Sequence, residues 1–100
     1  MTRTHADLRQ KLANVVLAYT MRQSRSGMSR LIAKQQERAA LEELSTALVE
    51  AKEQLSGEIW VCAYQVAILW TQGLSIKRAM KKLITAFHRS LGKRFLKTNN

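Results

Sequence analysis

Apolar positions recur at helical spacing in four separate stretches of this chain. In the first, Leu8, Leu12, Val15, Val16 and Tyr19 fall on one side of a helix. Thr4 precedes them with Asp7 three positions on, the pattern of a capping box, so Thr4 is the expected cap of this helix. The segment QSRSGMS, Gln23 to Ser29, breaks the periodicity with small polar residues and Gly27, and is expected to be a loop. Beyond it, Leu41, Leu44, Leu48, Ala51 and Leu55 alternate steps of three and four, the seam of a helix lying lengthwise against others. Lys34 and Glu37 occupy the matching positions upstream. That argues against a long two-stranded coiled coil and leaves a bundle. This second helix is expected from about Ser29 to Leu55, stopped by Ser56 and Gly57, with glycine supplying the left-handed C-terminal conformation.

The third stretch has a different pattern. In IWVCAYQVAILW, Ile59 to Trp70, Gln65 is the only strongly polar residue among twelve. Twelve helical residues span about 18 Å, too short for a hydrocarbon core of about 30 Å. A helix apolar on all sides is a buried one, so this segment is expected at the centre of the fold, with Trp60 and Trp70 as packing anchors. The other reading is a face buried against a second protein chain. Gly73 is expected to end this helix and Ser75 to cap the next.

The fourth stretch, with its apolar run, QGLS and then a basic helical pattern, has the outline of a DNA-reading helix-turn-helix. Aligning Ala79 with that motif's inner alanine puts Leu83 where a turn glycine belongs, and Arg78 and Lys82 where apolar residues belong. Instead, Ile76, Ala79, Met80, Leu83, Ile84, Phe87 and Leu91 form one unbroken stripe, and Lys77, Arg78, Lys81, Lys82, Arg89 and Lys93 line the other side with His88. The pattern predicts one basic amphipathic C-terminal helix, to about Leu91 or beyond. The chain lacks proline and has only four glycines, which favours helix nearly throughout. The expected fold is all-α: a compact bundle of about four helices in a single domain over residues 1–100, with a buried apolar third helix.

Charge sharpens the picture. The net charge is +10 at pH 7, and it is unevenly placed. Residues 1–36 hold seven Lys/Arg against one acid, residues 37–58 two against six, and residues 59–100 eight against none. Such an excess favours a polyanionic partner. The C-terminal basic face carries no Asn or Gln to read adenine edges and no aromatic to stack bases, so contact with phosphate is expected and sequence readout is not. Arg22, Arg25 and Arg30, clustered around the expected loop, join Lys77, Arg78, Lys81, Lys82, Arg89 and Lys93 as candidate backbone contacts. A membrane surface is the weaker partner, because the basic helix lacks Trp and its apolar stripe is needed for the core.

Catalytic chemistry is not expected. Cys62 is the only cysteine, lies within the apolar run and reads as a small core residue. A lone cysteine forms no intrachain disulfide and suits a reducing cytoplasm. His5 and His88 lack zinc-ligand spacing, and there is neither a P-loop nor a nucleophile elbow. Glu42, Glu43, Glu50 and Glu53 are expected on a charged outer face of the second helix, where Glu50 and Glu53 are better explained by solvation or pairing than by a metal. No cofactor, metal or secretory signal is expected. The Arg-bearing, acid-poor start has the composition of an organellar transit peptide, but it also reads well as a structural helix. The expectation is a non-catalytic subunit that binds RNA or DNA backbone irrespective of sequence, as an accessory or small subunit among the other proteins of a larger nucleoprotein complex. In kind it is similar to the small helical subunits of RNA-guided effector complexes, although no motif carries that likeness. The alternative is a helical regulator or chaperone that binds an acidic or amphipathic protein.

Overall fold

Periodicities of this kind require helices, and helices are what form. The computed structural model describes residues 3–51 and 55–89. These contain α1 (Arg3–Ser24), α2 (Gly27–Glu50), α3 (Glu58–Thr71) and α4 (Lys77–Phe87), with no strand among the described residues. The fold is all-α. The chain divides into two units, Met1–Glu53 and Gln54–Asn100, and each contains one pair of packed helices.

In the first unit only Arg25 and Ser26 lie between the helices. So short a connection forces an αα-hairpin. Its antiparallel sense is visible at both ends: Arg22 meets Glu37, while Lys11 lies alongside Ala47 and Glu50. The expected α1 stripe is buried in full, with Leu8, Leu12, Val15, Val16 and Tyr19 all inside. Leu41, Leu44, Leu48 and Ala51 of the seam are buried too, whereas Leu55, expected to continue it, lies beyond α2 in the second unit and is half-buried there. Each fully buried leucine contributes roughly 1.5–3 kcal/mol by leaving water.

The boundaries differ from the sequence expectation. Thr4 lies inside α1, which already runs from Arg3, so it is not the cap. Asp7 instead pairs with Lys11 one turn on, at 3.3 Å. Helix continues through Gln23 and Ser24 and resumes at Gly27, leaving a two-residue connection where seven residues were expected. The α2 helix ends at Glu50, with the Ala51 N–H donating to the Ala47 carbonyl at 3.1 Å. Gly57 therefore does not stop α2. It stands directly before α3, with φ at +108°, a conformation that only glycine takes without strain.

The second unit corrects the picture of a fully buried third helix. Only Ala63, Val66 and Ala67 of α3 are buried, while Val61 is 66% and Ile68 44% exposed. Trp60, Trp70 and Cys62 are half-buried. Within its unit α3 has one helical partner, α4, and one partner covers one side. An all-apolar composition measures how strongly a helix wants burial and says nothing about how many neighbours it finds.

Candidate nucleic-acid interface

The basic surface is positioned by the turn between α3 and α4. Gly73, with φ at +73°, donates its N–H to the Trp70 carbonyl at 3.1 Å, and Leu74 donates to the Leu69 carbonyl at 3.0 Å. These two bonds are a Schellman motif, which satisfies the last carbonyls of α3 and reverses the chain. Glycine thus ends α3 as its sequence position implied. Ser75 acts one residue earlier than a regular N-cap. Ile76 takes the cap position by backbone, while the Ser75 hydroxyl accepts the Lys77 N–H at 3.4 Å. The Met80 N–H then closes the first turn onto the Ile76 carbonyl at 2.7 Å.

From there α4 is unbroken from Lys77 to Phe87, which excludes a turn at Leu83. His88 and Arg89 follow in a wider, π-type turn. Ala79, Met80, Leu83 and Ala86 are buried, and this burial sets the rotation of the helix. Lys77, Arg78, Lys81 and Lys82 are therefore exposed, together with His88 and Arg89. Lys77 and Lys81 form one i,i+4 row, Arg78 and Lys82 a second beside it. Arg78, Lys81, Lys82 and Arg89 line an open depression whose far wall includes Glu58 and Cys62 of α3.

Two electrostatic details make this face unusual. Lys77 and Arg78 are the first two residues of a helix with no acid in its first turn. The partial positive charge of the unpaired N–H groups therefore adds to theirs, the reverse of what helix stability prefers. The single described counter-charge is Glu58, whose Oε2 lies 3.6 Å from Nη1 of Arg89 with both side chains largely exposed. Such a pair is worth little. The face can hold several phosphate oxygens along one edge, but it offers no planar amide to a base.

The remaining candidates fall elsewhere. Arg25 and Arg30 are exposed at the hairpin connection of the first unit. Arg22 is committed inside that hairpin: its Nε forms an ion pair with Glu37 Oε2 without hydrogen-bond alignment, and its guanidinium carbon lies 5.3 Å from the centre of the Tyr19 ring. Burial raises the Glu37 carboxyl above its ordinary value, while the charges of Arg22 and Lys34 pull it down. Lys93, Glu53 and Leu91, and with Leu91 the expected end of the last helix, lie outside the described residues.

The Arg22–Glu37 pair is the arrangement that sequence reasoning missed. Its signal was present, since Glu37 occupies a seam position where an apolar residue belongs. A charge there needs an opposite charge across the hairpin, and a tight turn after Ser24 brings Arg22 opposite it. Among the described residues, no group of three or more His, Cys, Asp or Glu side chains gathers to hold a metal, and no described helix is long and apolar enough to cross a membrane. Compared with known proteins, the chain matches no family model, no curated protein and no solved structure.

Proposed function

We propose that the protein binds the phosphate backbone of nucleic acid without reading sequence, through the exposed basic face of α4. One observation carries this reading: Lys77, Arg78, Lys81 and Lys82 stand together on one exposed face, at a helix start with no acid in its first turn. A merely solvated face mixes signs, and mixing would stabilise this helix. Retaining unmixed cations has a physical rationale if they displace counterions from a polyanion. Arg89 extends the surface, because its weak pairing with Glu58 yields readily to a phosphate. Arg25 and Arg30 are further candidate contacts on the first unit, whereas Arg22 serves the hairpin. In this reading the protein is a non-catalytic, accessory subunit of a nucleoprotein complex, with RNA and DNA both acceptable.

The test is equilibrium binding to two oligonucleotides of equal length and unrelated sequence over a salt series. The reading requires similar affinities and parallel, steep losses with salt. Binding that is salt-insensitive, or confined to one sequence, overturns it. A protein that ignores both oligonucleotides but retains one specific protein from native cells is instead the helical regulator or chaperone.

A further inference from the structure

The exposed charges of α2 are sorted along its length. Arg30, Lys34 and Arg38 occupy the N-terminal half, and Glu42, Glu43 and Glu50 the C-terminal half. This order opposes the helix macrodipole, which favours acids at the start and bases at the end. Within the middle of the helix, Arg38 and Glu42 are one turn apart with the base first, the weaker orientation for an ion pair. Neither is engaged in an ion pair among the described residues. The sorting therefore does nothing for the isolated helix.

It does suit an antiparallel copy of the same helix. Among its described residues α2 exposes four large apolar side chains, Met28, Leu31, Ile32 and Val49. Two of them, Leu31 and Val49, at 57% and 68% exposed, fall on a single line along the helix. At about 100° per residue, Leu31, Arg38, Glu42 and Val49 lie within roughly 40° of one another around α2. They form one stripe, separate from Leu41, Leu44 and Leu48. The stripe is also symmetric about Ala40: Leu31 and Val49 are equally far from it in opposite directions, and so are Arg38 and Glu42. A two-fold axis at that point sets Leu31 of one copy against Val49 of the other, and Arg38 against Glu42, each contact occurring twice. Self-complementarity of this kind is what an isologous interface requires.

We propose that α2 pairs antiparallel with α2 of a second copy of this chain, along the stripe Leu31–Arg38–Glu42–Val49. The second copy is favoured over an unrelated partner because every feature of the stripe finds its complement in the stripe itself: base to acid, apolar to apolar, and each helix end to the opposite charge. The proposal is independent of the nucleic-acid reading, which rests on α4.

The experiment is sedimentation equilibrium of the nucleic-acid-free full-length chain at low salt. The parent is expected to self-associate at about 100 µM, the range of a weak, single-helix interface. Arg38→Glu and Glu42→Lys each convert two attractive contacts into two repulsive ones, and each should weaken self-association by about 10- to 100-fold. An equimolar mixture of the two variants restores opposite charges on both sides and should associate like the parent. The double variant R38E/E42K should do the same on its own. Both positions are exposed, and circular dichroism verifies that the helices persist. A monomeric parent at that concentration overturns the proposal. So does a double variant or mixture that stays as weak as the single variants, since loss without rescue means that charge pairing between copies is not the cause.

Discussion

The two hairpins use similar residue types for opposite ends. In α1–α2 the buried side chains are large, with Leu8, Leu12, Val15, Leu44 and Leu48 at the centre. The polar group that intrudes on that seam, Glu37, is answered by Arg22 from the facing helix. In α3–α4 the buried set is small, with four alanines beside Val66, Met80 and Leu83, and the cations of α4 are mostly unanswered. Burial of bulk and pairing of charge belong to a scaffold. A thin core under an unbalanced basic face belongs to a surface that finds its counter-charge elsewhere. Perturbing the first unit should therefore register in stability, and perturbing the face of the second should register in binding.

The largest expected effect is in the first core. Leu44 is fully buried, so Leu44→Ala should cost about 4 kcal/mol in urea unfolding, within the usual 2–5 kcal/mol for a cavity of that size. A cost below about 1 kcal/mol would mean that the seam is not packed as described.

Next comes the pair that crosses the hairpin. Arg22→Met should cost about 2–3 kcal/mol at neutral pH, somewhat less than for a fully buried pair because Arg22 keeps some exposure. The pH dependence has a definite sign. Burial already holds Glu37 above its ordinary value of 4.5, and Arg22 opposes that shift; without Arg22 the carboxyl rises further. An acid raised on folding holds more protons folded than unfolded, so stability falls as pH rises from the unfolded value through the folded one. The penalty of Arg22→Met should therefore shrink toward about pH 4.5 and below, where Glu37 is protonated in both states. Unfolding curves across that range check it, and a penalty that grows on acidification contradicts it.

A smaller loss is expected from the apparent anchor of the third helix. Trp60 is half-buried, so Trp60→Ala should cost about 2 kcal/mol, less than Leu44→Ala despite the larger side chain removed. Equal or greater loss would restore α3 to the centre of the fold. Cys62, also half-buried, should react with a thiol reagent in the native protein more slowly than a free thiol and faster than a buried one.

The contrast between the hairpins also explains what could be read from sequence. Amphipathic segments were legible because one periodic stripe fixes both helix and buried side. The five α1 residues, the α2 seam from Leu41 to Ala51, and Ala79, Met80 and Leu83 of α4 follow from spacing alone. Ile76, Ile84 and Phe87 of the expected α4 stripe are instead half-buried, and Ala86, outside it, is buried. The uniformly apolar α3 carries no such phase, so its exposed side at Val61 and Ile68 depended on how many helices packed against it. Glu37 was legible only as an interruption for a related reason: a charge in a seam names no partner until the opposing arginine is placed by the turn. The helix ends moved because Thr4 and Gly57 satisfy local capping patterns, while α1 and α2 are held by packing along their length. The α4 face was legible in residue composition and rotation, and the expected Ser75 cap already put Lys77 and Arg78 in the first turn. The structure moves the cap one residue on, to Ile76, and makes them the first two residues of the helix.

The most direct measurement removes charge from that face and leaves the fold alone. Lys77, Lys81 and Lys82 are exposed, and glutamine is nearly as good a helix former as lysine, so the triple variant to Gln should keep its stability within about 0.5 kcal/mol. Its binding to two unrelated oligonucleotides, followed over a salt series beside the parent, should weaken alike for both. The log–log salt slope should lose about 0.7–0.9 in magnitude for each phosphate contact removed. A folded triple variant that binds both oligonucleotides as tightly as the parent, with the same slope, would show that α4 is not the nucleic-acid surface.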